Sequence, residues 1–511
     1  MFSIEPYLES TFEDVIRGKD DLHEDQLEAL DFAWGIPFSA LFLDVGKGKT
    51  VISETIVDRL LTEGYEGKIL IIAPIRVATR VWMREHRLWS HLAYMTPELI
   101  RISEDDPRVK EHGQYVYDLA RWLGANSAKA NSARGRAERT RKNDLRDALV
   151  DSPRQIHVIN QEAVGWLVEQ WEMRGLEKWP YQVVIFDESS RLRDHNSQIF
   201  KALKKVLRFI RRFHQLTATP ASQTYMHLFA QIYLLDRGKR LGLDITNFRA
   251  RYFTQNRYTQ VWSLRPGAAE EIEQRISDIC IVQRREKDFQ INIRSIELPA
   301  DKMKQYRDFE RDLVMELSDD VIIDAINGGV LSNKLLQYAS GAVYDANRKP
   351  HFIHDEKIDE LRQLMDETLD NPVMVAYWYK PSLARLKAAF PDAAVMDREG
   401  KMEEPWNKGK FKMMLVHPRS VAHGMNLQFG GHHIAVFDIF WPLELFTQLI
   451  GRLDRPGQES TVMVHLLSAV GTMDETVALN LQLLRSAEEA MFKRLRALYR
   501  RLRNVGQSYS F

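Results

Sequence analysis

Along this chain, short unbroken apolar runs alternate with stretches whose apolar residues recur every three or four positions. Leu41-Phe42-Leu43, Ile69-Leu70-Ile71-Ile72-Ala73, Ile156-His157-Val158-Ile159 and Val183-Val184-Ile185-Phe186, with the shorter His214-Gln215-Leu216, have the length of strands buried on both faces. Helical periodicity follows at residues 51–61 and 77–88, and an amphipathic helix over 22–30 precedes the first run. Strands alternating with helices predict a parallel sheet that takes its ligand at the strands' carboxyl ends. From about residue 225 to 344 the buried-strand pattern fades, and helical patterns such as 268–281 and 303–326 predict a helical insertion. Strand runs return at Val373-Met374-Val375-Ala376, Met413-Met414-Leu415-Val416, Ile434-Ala435-Val436-Phe437 and Val462-Met463-Val464-His465. The tail carries an apolar stripe (Leu481, Leu484, Met491, Leu495, Leu498, Leu502) among Lys493, Arg494, Arg496, Arg500, Arg501 and Arg503, which predicts one long amphipathic helix packed against a domain. The expected fold is therefore α/β: a first parallel-sheet lobe over 1–228, a helical insertion over 229–345, and a second lobe over 346–511 ending in that helix.

The first run breaks into Gly46-Lys47-Gly48-Lys49-Thr50 and then into a helix. Gly46 and Gly48 let backbone N–H groups turn toward an anion, and the helix adds its positive end. Lys49 can reach β- and γ-phosphates and the Thr50 hydroxyl can hold Mg²⁺, so the motif asks for a nucleoside triphosphate. The full phosphate-loop pattern would have glycine at Leu43; a glycine-rich turn with a surface lysine is the competing interpretation. A second box decides between them. Val183 to Phe186 ends in Asp187-Glu188, where Asp187 can share the Mg²⁺ with Thr50 and Glu188 can orient and deprotonate an attacking water. Upstream, Gln26 lies on the polar side of its helix, and its amide can both donate to and accept from an adenine edge.

Composition narrows the partners. The 511 residues, 44% hydrophobic and 28% charged, suffice for two to four domains with cores. Seventy-one basic residues balance seventy-one acidic ones, so a polyanion must be met by a local patch. A basic insertion at about 104–150 supplies one, with Arg134, Arg136, Arg139, Arg141, Lys142 and Arg146. The single cysteine, Cys280, allows no internal disulfide and fits a reducing compartment. Neither an export leader at Met1-Phe2-Ser3-Ile4 nor a membrane-spanning apolar run is read, and the cytoplasm, of a host cell if the source is viral, is the expected location.

These boxes resemble those of superfamily-two helicases, and most closely the switch/sucrose-non-fermenting family of double-stranded DNA translocases, over nearly the whole chain. In the first lobe the resemblance rests on 22–26, the phosphate loop, Ala73-Pro74 with Trp82 and Glu85, Asn160-Gln161-Glu162, Asp187-Glu188 and Leu216-Thr217-Ala218-Thr219-Pro220. In the second it rests on Gly424-Met425-Asn426-Leu427, Phe440-Trp441-Pro442, the series from Gln448 through Gly451, Arg452 and Arg455 to Gln458, and Gly471-Thr472-Met473-Asp474-Glu475. Two departures stand out: Ser190 where the family usually has histidine, so that a relay to Thr217-Ala218-Thr219 is expected through its hydroxyl, and Ala218 where it mostly has glycine.

The resemblance implies two RecA-like lobes, ATP and Mg²⁺ as cofactors, an ATPase (ATP hydrolase), and sequence-independent contact with the phosphate backbone of double-stranded DNA. It implies Gln26, Gly46, Gly48, Lys49, Thr50, Asp187 and Gln448 at the nucleotide, Glu188 with Lys49 in catalysis, and Arg76, Asn160, Gln161 and Ser420 at nucleic acid. Arg452 and Arg455, three apart on one helix face, are expected to reach across a cleft to the γ-phosphate. The expected function is an ATP-dependent translocase or remodelling motor that couples ATP hydrolysis to tracking along duplex DNA in DNA repair, recombination or replication, acting as a monomer. The alternatives are a strand-separating DNA or RNA helicase and a catalytically dead nucleotide-dependent clamp.

Overall fold

The computed structural model describes residues 17–507 apart from 104, 222–223, 258–259, 261, 285–288, 319–324, 346, 370, 398–399 and 422–424, and for 313–328 and 501–507 it describes backbone at most. The N-terminal start, Gly424, and the side chains of Arg501, Leu502 and Arg503 therefore lie outside the described residues.

Two all-parallel sheets organise the chain. The first runs in the order Glu98–Leu99, Ile156–Asn160, Lys68–Ala73, Tyr181–Asp187, Arg212–Thr217, Phe38–Leu43, Cys280–Gln283. Its central strands are largely apolar because each feeds two cores, with Arg212–Thr217 the most polar of them through His214 and Gln215. Ala40, Phe42, Leu70, Ile72, Val184 and Phe186 point to one face, and Leu41, Leu43, Ile69, Ile71, Val183 and Ile185 to the other. The second sheet runs Phe289–Ile296, Val462–Ala469, His433–Val436, Val373–Ala376, Met413–Val416, Ala394–Val395, and divides its side chains between two cores in the same way.

The segment 229–345 does not form the strandless insertion expected of it. Helices Met226–Asp236, Ile245–Tyr252 and Ala268–Ile276 bury Phe229, Phe248 and Ile272 in the same core as Phe42, and Cys280–Gln283 pairs with Phe38–Leu43 as an outer strand of the first sheet. Phe289–Ile296 crosses into the second sheet, ahead of the boundary expected at 346. Both strands escaped the apolar-run criterion for physical reasons. Cys280–Gln283 is four residues long and follows directly on a helical pattern, while Phe289–Ile296 is an edge strand whose exposed Gln290 and Asn292 interrupt the apolar residues. Helices Ala300–Ser318 and Ala325–Ala339 are the part that matches a helical insertion.

The expected helix over 77–88 is also broken, into short turns at Val77–Val81 and Glu85–Leu88, between which Trp82 is buried and hydrogen-bonded to Asp187. The basic insertion folds as a pair of helices, Pro107–Trp122 and Ser127–Val150, which pack so closely that Gly113 faces Glu138 without room for a Cβ. The C-terminal helix, Met473–Gln507, is about 50 Å long and joins the lobes. Its Val477 and Leu481 lie in a second-lobe core, and Met491, Phe492 and Leu495 in a first-lobe core. Among the described residues no helix is long and apolar enough to cross a membrane.

Candidate nucleotide site between the lobes

The phosphate loop leaves the carboxyl end of Phe38–Leu43 and enters helix Lys49–Thr62. Gly46 (φ 82°) and Gly48 (φ 73°) take left-handed conformations that a side chain would oppose. Gln26 lies against Gly48, where any Cβ would strike its amide, and it is oriented by accepting from His23 N–H at 2.9 Å. Lys49 Nζ donates to the carbonyls of Leu43 (3.2 Å) and Asp44 (3.4 Å), so its ammonium is folded back over the loop. Thr50, next in the chain, lies in the first turn of the same helix.

Strand Tyr181–Asp187 delivers the two acids. Asp187 accepts from Trp82 Nε1 at 3.1 Å and from Glu188 N–H at 3.0 Å, and burial raises its pKa against the lowering effect of Lys49. Glu188 sits in a left-handed turn (φ 54°), a conformation that costs a non-glycine residue and often marks a functional constraint. Burial raises its pKa to about 7, with Asp187 and Glu444 adding to the rise and Lys49 and Arg452 opposing it. Its Oε2 is buried without a hydrogen-bond partner among the described residues.

The second lobe closes over this site. Helix Leu443–Ile450 carries Gln448, whose Oε1 is likewise buried and unpartnered among the described residues. Arg452 and Arg455 fall just past the end of that helix, in the turn that follows, rather than on the helix itself. Arg452 donates to the carbonyls of Gln448 (3.2 Å) and Met425 (3.0 Å); Arg455 donates to Gly451 O at 2.9 Å and to the Asn426 side chain. Burial lowers the pKa of both, that of Arg455 to about 10. This turn rests on the phosphate loop: a Cβ on Gly451 would come within 3.1 Å of Val45, and one on Gly46 within 3.3 Å of Pro456. Buried lone pairs on Glu188 and Gln448, a lysine over a glycine loop, the buried Arg452 and the half-buried Arg455 make a set suited to a polyphosphate with its cation. Thr50 and Asp187 could hold the Mg²⁺, and Gln26 the base.

The four residues expected at nucleic acid are only partly alike. Arg76 donates to the Ser420 carbonyl, so these two meet across the lobes. Asn160, at the carboxyl end of its strand, donates to Glu162 at 3.0 Å. Gln161 differs from expectation: it is 1% exposed and its amide donates to the carbonyls of Asp187 (2.7 Å) and Glu188 (3.4 Å), bracing the acidic turn from within. The expected relay through Ser190 is also redirected. Ser189 Oγ donates to Gln231 Oε1 at 3.1 Å, and Gln231 Nε2 donates to Pro220 O at 2.8 Å, which links the acidic box to Thr217-Ala218-Thr219-Pro220. Ser190 instead donates to Glu444 of the second lobe at 2.9 Å. Gln231 and Glu444 carry no local sequence signal, since only the fold brings them to the box.

The SNF2-related domain matches residues 39–303. Protein p41 of Acyrthosiphon pisum secondary endosymbiont phage 1 is 32% identical over 460 residues, covering 86% of this chain and 91% of its own. Chromodomain-helicase-DNA-binding protein 7 of Gallus gallus is 25% identical over 233 residues, 44% of this chain and 6% of that protein. Among solved structures, the Sulfolobus solfataricus SWI2/SNF2 ATPase core in complex with dsDNA aligns over 94% of this chain and 95% of its own, with a TM-score of 0.39 and 16% identity. With a family match across just over half its length and a relative aligned over most of both chains, this chain belongs to the SNF2-related domain family.

Proposed function

We propose that the chain is an ATP-dependent motor that tracks along double-stranded DNA by closing and opening its two lobes. The observation that carries this reading is the seating of Gly451 and Pro456 of the second lobe against Val45 and Gly46 of the phosphate loop. A triphosphate held there must be gripped from both sides, so its hydrolysis and the lobe movement are one event. Lys49 and the loop N–H groups would bind the β- and γ-phosphates, Thr50 and Asp187 the Mg²⁺, and Gln26 and Gln448 the remainder of the nucleotide. Glu188, with its raised proton affinity and a buried oxygen that is unpartnered among the described residues, would orient the attacking water and take its proton. Arg452 and Arg455 would stabilise transition-state charge, a role worth ~10³-fold or more.

Arg76, Asn160 and Ser420 are the proposed backbone contacts, and the basic helices Pro107–Trp122 and Ser127–Val150 an additional one. Repair, recombination or replication in the cytoplasm is the setting proposed for such a motor, acting as a monomer. One observation favours strand separation as a second reading: Trp122 and Leu123, at the tip of the helical pair, are 81% and 69% exposed and could serve as a wedge. The test is the ATPase rate measured in parallel without nucleic acid and with single-stranded DNA, duplex DNA and RNA. Strongest stimulation by duplex DNA is expected; stimulation by RNA alone would discard the reading.

A further inference from the structure

Glu444 belongs to the second lobe but its carboxylate is engaged by the first. Oε1 accepts from Ser190 Oγ at 2.9 Å, and Oε2 lies 3.6 Å from Arg193 Nη1, with the Glu444 side chain only 17% exposed. Ser190 stands two residues after Glu188, within the short turn Ser189–Leu192 that follows the left-handed Glu188. On its own helix, Leu443–Ile450, Glu444 lies one turn before Gln448, so one face carries the Ser190 acceptor and the buried Gln448 amide. The acidic turn is thus fixed from two sides: Gln161 holds its carbonyls from within the first lobe, and Glu444 holds its hydroxyl from the second.

We propose that Glu444 is a positioning residue for ATP hydrolysis, through which closure of the second lobe sets the Glu188 turn in its working geometry. The proposal rests on the assignment of Glu188 to the attacking water and adds a second-lobe residue that does not touch the nucleotide. Opening the cleft breaks the Ser190–Glu444 hydrogen bond and leaves the strained turn held from one side alone. Closing it restores the bond. Hydrolysis is then tied to closure by the acidic box itself, in addition to the arginines delivered by the same lobe.

The experiment compares steady-state ATPase activity with duplex DNA, ATP affinity and thermal stability for Glu444→Ala, Ser190→Ala, the double variant and Glu444→Gln. Each single alanine variant is expected to lower kcat about tenfold, equivalent to about 1.4 kcal/mol of transition-state stabilisation, with KM and ATP affinity within about twofold of wild type. The double variant should be no slower than the slower single one, because both remove one hydrogen bond. Glu444→Gln keeps an acceptor for Ser190 and should restore most of the activity, and should lose that advantage when combined with Ser190→Ala. Unchanged kcat, additive losses, or a loss in KM instead of kcat would overturn the proposal. If Glu444→Ala does not fold, Glu444→Gln and Ser190→Ala decide the matter by the same kcat comparison. Glu188→Gln serves as the separate control: full turnover in that variant would remove the hydrolysis assignment itself, whatever Glu444 does.

Discussion

Arg284 holds Asp44 at 3.0 Å while its guanidinium lies 3.5 Å from the centre of the Phe492 ring. Asp44 is where the phosphate loop leaves its strand, and Phe492 belongs to the helix that arrives from the second lobe, which also brings Glu488 to 3.7 Å from Arg284. One side chain therefore joins the glycine-rich loop to the element that ties the lobes together.

Phe492→Ala is expected to remove the ring from under Arg284 and leave a cavity in the first-lobe core beside Phe42. Losses for such substitutions run at about 3–5 kcal/mol, so the midpoint of chemical unfolding should fall clearly, and small-angle scattering should report more separated lobes. An unchanged midpoint would mean that the C-terminal helix does not hold the first lobe.

Lys49→Ala and Glu188→Gln should fail differently. The lysine variant loses a phosphate contact and is expected to bind ATP more weakly; the glutamine variant keeps the shape of the site and should bind ATP while hydrolysis collapses. Equilibrium binding of a fluorescent ATP analogue beside the turnover rate separates the two. Near-normal turnover by Glu188→Gln would remove the water-activating role.

Arg455→Ala, and to a similar degree Arg452→Ala, is expected to lower turnover by ~10³-fold with little loss of nucleotide affinity, because in the role proposed for them the arginines act on transition-state charge. Single-turnover kinetics with pre-bound ATP checks this directly. A first-lobe fragment ending after Gln283, the last residue of the first sheet, should be inactive for the same reason.

Stability should depend on acid through buried histidines. His214 is fully buried and paired with Ser39 Oγ at 2.8 Å, and burial together with Arg212 pushes its pKa down to about 3. An unfolded histidine takes its proton near pH 6.5, so between about pH 6.5 and 3 the unfolded chain binds more protons than the folded one. The contribution of the neutral ring is complete above that window and declines as pH falls through it, by about 1.4 kcal/mol per unit. His157, hydrogen-bonded to the Tyr181 hydroxyl and shifted to about 4 by burial and Lys68, acts in the same direction. Denaturant unfolding between pH 6.5 and 5 should show a proton slope that His214→Asn reduces by about one; an unchanged slope would contradict the assignment.

The glycine-rich loop, the acidic box and the arginine series stand out in the sequence because each sets particular residue types at fixed local spacing, and the fold brings the three together at one cleft. The two sheets were legible where strands are apolar on both faces, as at Ile69–Ala73 or Met413–Val416. Cys280–Gln283 and Phe289–Ile296 were not, one for shortness and the other for an edge strand's polar face. Ser190 was singled out for differing from histidine, yet its partner Glu444 lies 254 positions away and could not be found without the fold. Gln161 shows the converse: a box matched by residue type has its side chain turned inward, a distinction that depends on burial and not on spacing.

The most direct measurement of the central claim is displacement of a third strand from a DNA triplex, followed with ATP beside separation of a forked duplex. A motor that grips the duplex backbone and closes on ATP should strip the third strand, lose this activity steeply with added salt, and leave the fork paired. Fork opening without triplex displacement would contradict duplex tracking and make the enzyme a strand-separating helicase.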